Sequence, residues 1–251
     1  MINAIRSEWI KLRSARSNIV LVCLAIGLPL VISTLIAALA DMRNSDPIDV
    51  MAAVVLGPCF ICVIMAGVIG VLGIGQEYRH NTIRVTFTGE PRRSRVLAAK
   101  VVVTTAFGLG IGLLTQALCL GVAKTIFSVR DIEVAFFEPG VNAAAFIGQV
   151  LLCGLFTLAG FGLGAILRQP AGAIPILVVF PLVVEPILAG LLGLIADNAG
   201  KWMPFQQGIR MAVNAETGPE VFSRLYSGLY FGGFVAVIVA IGWLLVERRD
   251  A

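Results

Sequence analysis

The chain has 251 residues, of which 58% are hydrophobic and 14% charged, with a net charge of +4 and a mean hydropathy of +0.94. A soluble domain is about a quarter charged, so this composition excludes an ordinary water-soluble fold and makes lipid the main solvent. The basic surplus flanks apolar runs instead of forming a patch of its own, so it reads as a topology signal and excludes nucleic-acid binding.

At the start, Ile2, Ile5, Trp9 and Leu12 recur at three- and four-residue steps while Arg6, Glu8, Lys11 and Arg13 take other faces. The spacing predicts an amphipathic helix within 1–18 lying along the membrane interface, either as a topology anchor or as a force-transmitting element. Six apolar segments follow, at about 19–40, 51–75, 101–127, 143–167, 173–196 and 226–246, each long enough to span a bilayer. They are continuous and not alternating, which excludes a β-barrel, and lipid satisfies no free backbone, which leaves helices. The expected fold is therefore an all-α integral membrane protein, one transmembrane domain over 1–251. The first segment has a rival reading as a signal peptide, because Arg6, Lys11, Arg13 and Arg16 precede it and Ala38-Leu39-Ala40 resembles a cleavage site. Its run of 22 residues exceeds the roughly 7–15 of a signal core and favours a retained anchor.

Thirteen lysines and arginines fall at the N-terminus, in 76–100, in 168–172 and in the tail, against six on the other side, where nine acids accompany them. This bias predicts a multi-pass protein of a bacterial cytoplasmic membrane with both termini and the 76–100 loop in the cytoplasm. Cys23, Cys59, Cys62, Cys119 and Cys153 all lie in apolar segments and read as small hydrophobes, with no disulfide framework and no metal site. The single histidine, His80, rules out a two-histidine zinc motif, and neither a P-loop nor a G-x-S-x-G elbow occurs. The chain is not expected to be an enzyme. The outer loop 197–225 is broken by glycines and prolines, and Trp202 and Phe205 suggest that pieces of it lie at the outer interface.

The 76–100 loop is the most informative stretch. Residues 77–87 can form a short helix that shows Tyr78, Ile83 and Phe87 beside Glu77, Arg79, His80 and Arg84, a mixed polar and aromatic surface suited to docking a protein. The alternative is a basic loop that only sets topology or binds anionic lipid.

Three stretches carry a resemblance. They are Ser7-Glu8-Trp9-Ile10-Lys11-Leu12-Arg13-Ser14, the run Glu77-Tyr78-Arg79-His80-Asn81-Thr82-Ile83-Arg84 with Pro91-Arg92-Arg93-Ser94-Arg95-Val96-Leu97-Ala98-Ala99-Lys100, and Trp202-Met203-Pro204-Phe205. With six spans, these resemble the permease subunits of type-2 ATP-binding-cassette exporters, in a compact actinobacterial-like form; His80-Asn81 departs from the small residues more usual there. The resemblance implies that 76–100 is a cytoplasmic coupling element resting on a separate ATPase, present in two copies, which binds the ATP and Mg while this chain holds no cofactor. It implies contacts through Glu77, Tyr78, Arg79, Ile83, Arg84, Phe87, Arg92 and Arg93. It further implies that two permease chains, identical or different, enclose one pathway in the membrane lipid. Short outer loops favour a hydrophobic or amphiphilic cargo such as a drug, lipid or peptide.

Glu185 lies inside the fifth span with Pro181 and Pro186 beside it. A carboxylate there should avoid lipid, and the prolines leave the carbonyls of Leu177 and Leu182 without their usual donors. Glu185, Pro181 and Pro186 either line the substrate pathway, or Glu185 is a structural carboxyl bonded to a neighbouring helix. The rival functions are an ion-coupled secondary transporter, for which Glu185 alone qualifies, and a non-transporting membrane scaffold or immunity protein.

Overall fold

The computed structural model describes residues 2–40, 47–83, 93–132, 142–194, 202–213 and 223–248. Helix α1 covers Ile2–Ser14, and the extended backbone of Ala15 (φ −68°, ψ 120°) separates it from α2, Arg16–Leu39. Next come α3 (Pro47–Arg79), α4 (Arg93–Val129) and α5 (Asn142–Leu167). A broken span follows, made of α6 (Pro170–Val179), a wide π turn at Phe180–Val184, and α7 (Glu185–Gly193). A short helix, α8 (Pro204–Ala212), precedes α9 (Arg224–Arg248). Among the described residues six helical stretches are long and apolar enough to cross a membrane, so the protein is all-α and multi-pass.

The spans overrun their expected limits. α3 has 33 residues and α4 has 37, about 50 and 55 Å at 1.5 Å per residue, against a bilayer core of about 30 Å. Half of the α3 surplus and most of the α4 surplus lie at the end of the bundle where α1 sits, so the segment expected as a loop over 76–100 is helical at 76–79 and again from 93. The expected helix over 77–87 is not one element: Glu77, Tyr78 and Arg79 close α3, and Asn81 adopts a left-handed φ of 54° that ends it. Arg84, Phe87 and Arg92 lie outside the described residues.

α3 and α5 form the centre, with 72% and 61% of their most apolar windows buried, whereas α2 and the broken span reach only 17% each. The close crossing of α3 and α5 depends on absent side chains. A Cβ at Gly70 would overlap the Thr157 carbonyl, and one at Gly160 would overlap the Gly67 carbonyl. Apolar burial gives no net drive between helices in lipid, so this small-residue contact and a few polar bonds hold the bundle. One such bond runs from Gln116 Nε2 to Gln149 Oε1 (2.7 Å), and Gln149 Nε2 donates to the Leu56 carbonyl (2.9 Å), joining α4, α5 and α3. Cys59, Cys62, Cys119 and Cys153 are buried in this core, but Cys23 is exposed on α2.

Candidate functional site

Because α4 begins at Arg93, Lys100 stands two turns inside a helix and not at its start, and its side chain is only 3% exposed. A buried ammonium needs partners. It has two: Nζ lies 2.6 Å from Glu8 Oε2 and 2.7 Å from Glu77 Oε1. Lys11, one turn after Glu8, reaches the same two acids at 2.8 and 2.9 Å. Two cations thus bridge two carboxylates, the charges sum to zero, and α1, α3 and α4 are tied at one point. Burial lowers the Lys11 pKa, but the hydrogen bonds and charges of Glu77 and Glu8 outweigh it and raise the group above its ordinary value of 10.5. Asn18 Nδ2 donates to the Leu12 carbonyl (3.1 Å) across the Ala15 break, and Gln76 Nε2 donates to Ser17 Oγ (2.8 Å), so the first turn of α2 joins the same assembly. A cleft of about 800 Å³ opens on it, lined by Glu8, Lys11 and Glu77 themselves together with Ser7, Gln76, His80 and apolar residues such as Leu12 and Leu72.

The expected docking residues take different places around this cluster. Glu77 is committed to the two lysines, with its side chain 12% exposed. Tyr78 is half-buried against the core cluster of Ile74, Leu97, Phe161, Ala165 and Val246, with the Arg168 guanidinium 5.0 Å from its ring centre. Ile83 is buried, Arg93 is half-buried, and Arg79 is exposed together with His80, Asn81 and Thr82. Glu8 and Lys100 were not anticipated as site residues. Their signal was an acid set among bases in the first helix and a lysine on a predicted span boundary, which becomes informative only once α4 is known to start earlier.

At the opposite end, Pro181 has no N–H and Leu177 loses its donor; the turn widens, and the Glu185 N–H bonds to the Phe180 carbonyl five residues back. Leu182, Val183, Ile187 and Leu188 stay exposed around it while Glu185 is fully buried. Its carboxylate is aimed at α8. That helix begins at Met203 and Pro204, neither of which offers a capping oxygen. Glu185 supplies both: Phe205 N–H donates to Oε1 (3.0 Å) and Gln206 N–H to Oε2 (2.9 Å). These are among the orphan donors of a helix start, and the helix dipole favours the negative charge there. Pro181 is buried and Pro186 is exposed.

α8 is seated in the bundle. Phe205, expected at the interface, is 4% exposed and centred among Phe156, Phe180, Phe231 and Phe234, with ring centres 5.4–6.0 Å away. Its hydrophobic and aromatic contacts outweigh an interfacial position. Ser227 Oγ donates to Gln207 Oε1 (2.8 Å), and a Cβ on Gly148 would overlap the Met211 carbonyl. Trp202 is exposed and meets the Tyr230 ring edge-on, and the Tyr230 hydroxyl donates to the Trp202 carbonyl (2.9 Å).

The family described as ABC-2 family transporter protein matches residues 4–195, most of the chain and every residue of the charged cluster. No curated protein matches it.

Proposed function

This chain belongs to the ABC-2 transporter family and is a membrane-spanning permease subunit of an ABC transporter; on that premise we propose that it drives outward movement of a hydrophobic or amphiphilic compound as one half of a dimer. Two copies of a separate ATPase bind the ATP and Mg. The α1 end and both termini face the cytoplasm, in line with the thirteen-to-six bias of basic residues.

The observation that carries this reading is the buried Glu8–Lys100–Glu77–Lys11 cluster. It makes the ends of two spanning helices and the interfacial helix one rigid body, with the exposed Arg79–Thr82 turn and the cleft on its surface. A partner pressing on residues 79–92 therefore moves α3, α4 and α1 together. Arg79 is the polar contact closest to the turn, Arg84, Phe87 and Arg92 complete the docking surface, and Tyr78, Ile83 and Arg93 support it from within. The low burial of α2 and the broken span leaves apolar faces for a second permease chain. Glu185 acts on the pathway by fixing α8 at its outer end.

Placing a photoreactive benzophenone side chain at His80 tests this directly. Illumination should couple the chain to a co-expressed ATP-binding subunit, and the same group at Trp202 should not. Coupling at Trp202 alone, or no ATPase coupling at either position, overturns the reading.

A further inference from the structure

A laterally open groove of about 530 Å³ runs along α9 against α4 and α5. Its trough follows Gly232, Ala236 and Ala240, one small residue per turn on one helix face, with Leu155, Leu158 and Trp243 beside it. From Gly232 to Leu244 the groove is about 18 Å long, at 1.5 Å per residue. Spread over that length, its volume gives a cross-section of about 30 Å², against roughly 80 Å² for a helix about 10 Å across. The trough is thus narrower than a helix, which would rest across its mouth and not lie within it. At roughly 30 Å³ for a group the size of a water molecule, the groove has room for about eighteen methylenes, which is one long alkyl chain.

One end of the groove is basic. Arg168 Nη2 donates to the carbonyl of Leu245 (3.4 Å), the residue after groove-lining Leu244. Arg168 itself sits at φ 57°, a conformation that glycine adopts freely and that other residues rarely take. The turn alone would favour glycine, so the guanidinium is the feature that accounts for arginine here. Arg248 adds a second cation in the last turn of α9. The acid on that face, Glu247, accepts the Trp243 Nε1–H (2.8 Å), which places the indole where interfacial tryptophans sit.

We propose that this groove holds one acyl chain of an anionic membrane lipid, with its headgroup set against Arg168 and Arg248. Apolar lining selects the chain, and the two cations select the charge. The site depends on the protein being in a membrane and not on export, so it stands or falls separately from the permease reading.

The test is native mass spectrometry of the purified chain released from nanodiscs of equal phosphatidylglycerol and phosphatidylcholine. The expected result is one tightly held lipid, with phosphatidylglycerol favoured several-fold. Ala236→Phe with Ala240→Phe fills the groove from two exposed positions and should abolish the retained lipid. Arg168→Gly suits the backbone and should keep the lipid but weaken the preference several-fold, leaving only the share that Arg248 supplies. Equal retention by the filled-groove variant, or an unchanged preference in Arg168→Gly, overturns the proposal. So does efficient cross-linking of a cysteine at Ala240 to its counterpart in a second chain. If the double variant fails to fold, the Arg168→Gly preference decides.

Discussion

Both ends of the bundle are organised by buried carboxylates, but the partners differ in kind. At the α1 end, Glu8 and Glu77 meet two ammonium groups, and the result is a neutral set of full charges. At the α8 end, Glu185 meets two backbone N–H groups at a helix start, so one full charge faces only partial ones. The first arrangement joins three separate helices and resists being pulled apart. The second holds a nine-residue helix by two hydrogen bonds, reinforced by aromatic packing. The difference is mechanical: the first end holds together as a block, while the second holds a small element that the loss of two hydrogen bonds would release.

The largest expected effect falls on the charged end. Lys100→Met leaves Glu8 and Glu77 facing each other with only half-exposed Lys11 between them, and should lower stability by about 3–5 kcal/mol in thermal or denaturant unfolding of the solubilised chain. Adding Glu8→Met should restore part of that loss. A Lys100→Met chain as stable as the parent would break the comparison. Glu185→Gln should act more locally, by about 1–3 kcal/mol, since an amide offers one acceptor oxygen to two donors. Hydrogen exchange should speed up at the Phe205 and Gln206 amides while the α1 end stays protected; equal loosening at both ends would show that the ends are not independent.

Lys11→Gln should cost least, about 0.2–1 kcal/mol, because its side chain is 44% exposed and water screens the pairs. The contribution of Lys11 also depends on pH. Its pKa is raised above 10.5, so its contribution is fully present below that pH and is lost only as pH climbs through the higher folded value. Attachment of α1, followed by Trp9 fluorescence, should therefore be flat between pH 7 and 10. A transition within that window would place the proton elsewhere in the cluster.

Six spans and the amphipathic start are legible because bilayer thickness and helical periodicity act on long windows of sequence. The helix ends are not: α3 and α4 continue past the last apolar residue because Gln76, Glu77 and Lys100 find polar partners there instead of water. Glu185 stands out in sequence as a carboxylate in an apolar span, yet its target, the start of α8, depends on an extra residue in the π turn that rotates it inward. Phe205 misleads for a related reason: an aromatic in a polar-looking loop reads as interfacial until four phenylalanines from other helices close around it.

The chain order of the two carboxylate systems bears on how the protein is made. Glu8 and Glu77 precede Lys100, so the ammonium enters the bilayer with both partners already synthesised. Glu185 leads its donors by 20 and 21 residues, which at about 5–20 residues per second is a wait of roughly 1–4 s. During that interval an uncapped carboxylate sits in a segment being handed from translocon to lipid, at a cost of about 2.5–3.5 kcal/mol if it reaches the midplane. The segment's high hydropathy of 2.3 offsets that cost, and the arrival of Phe205 and Gln206 ends it. Pausing synthesis just after residue 194 should therefore leave the fifth span prone to slipping back out, whereas pausing after α8 should find it held.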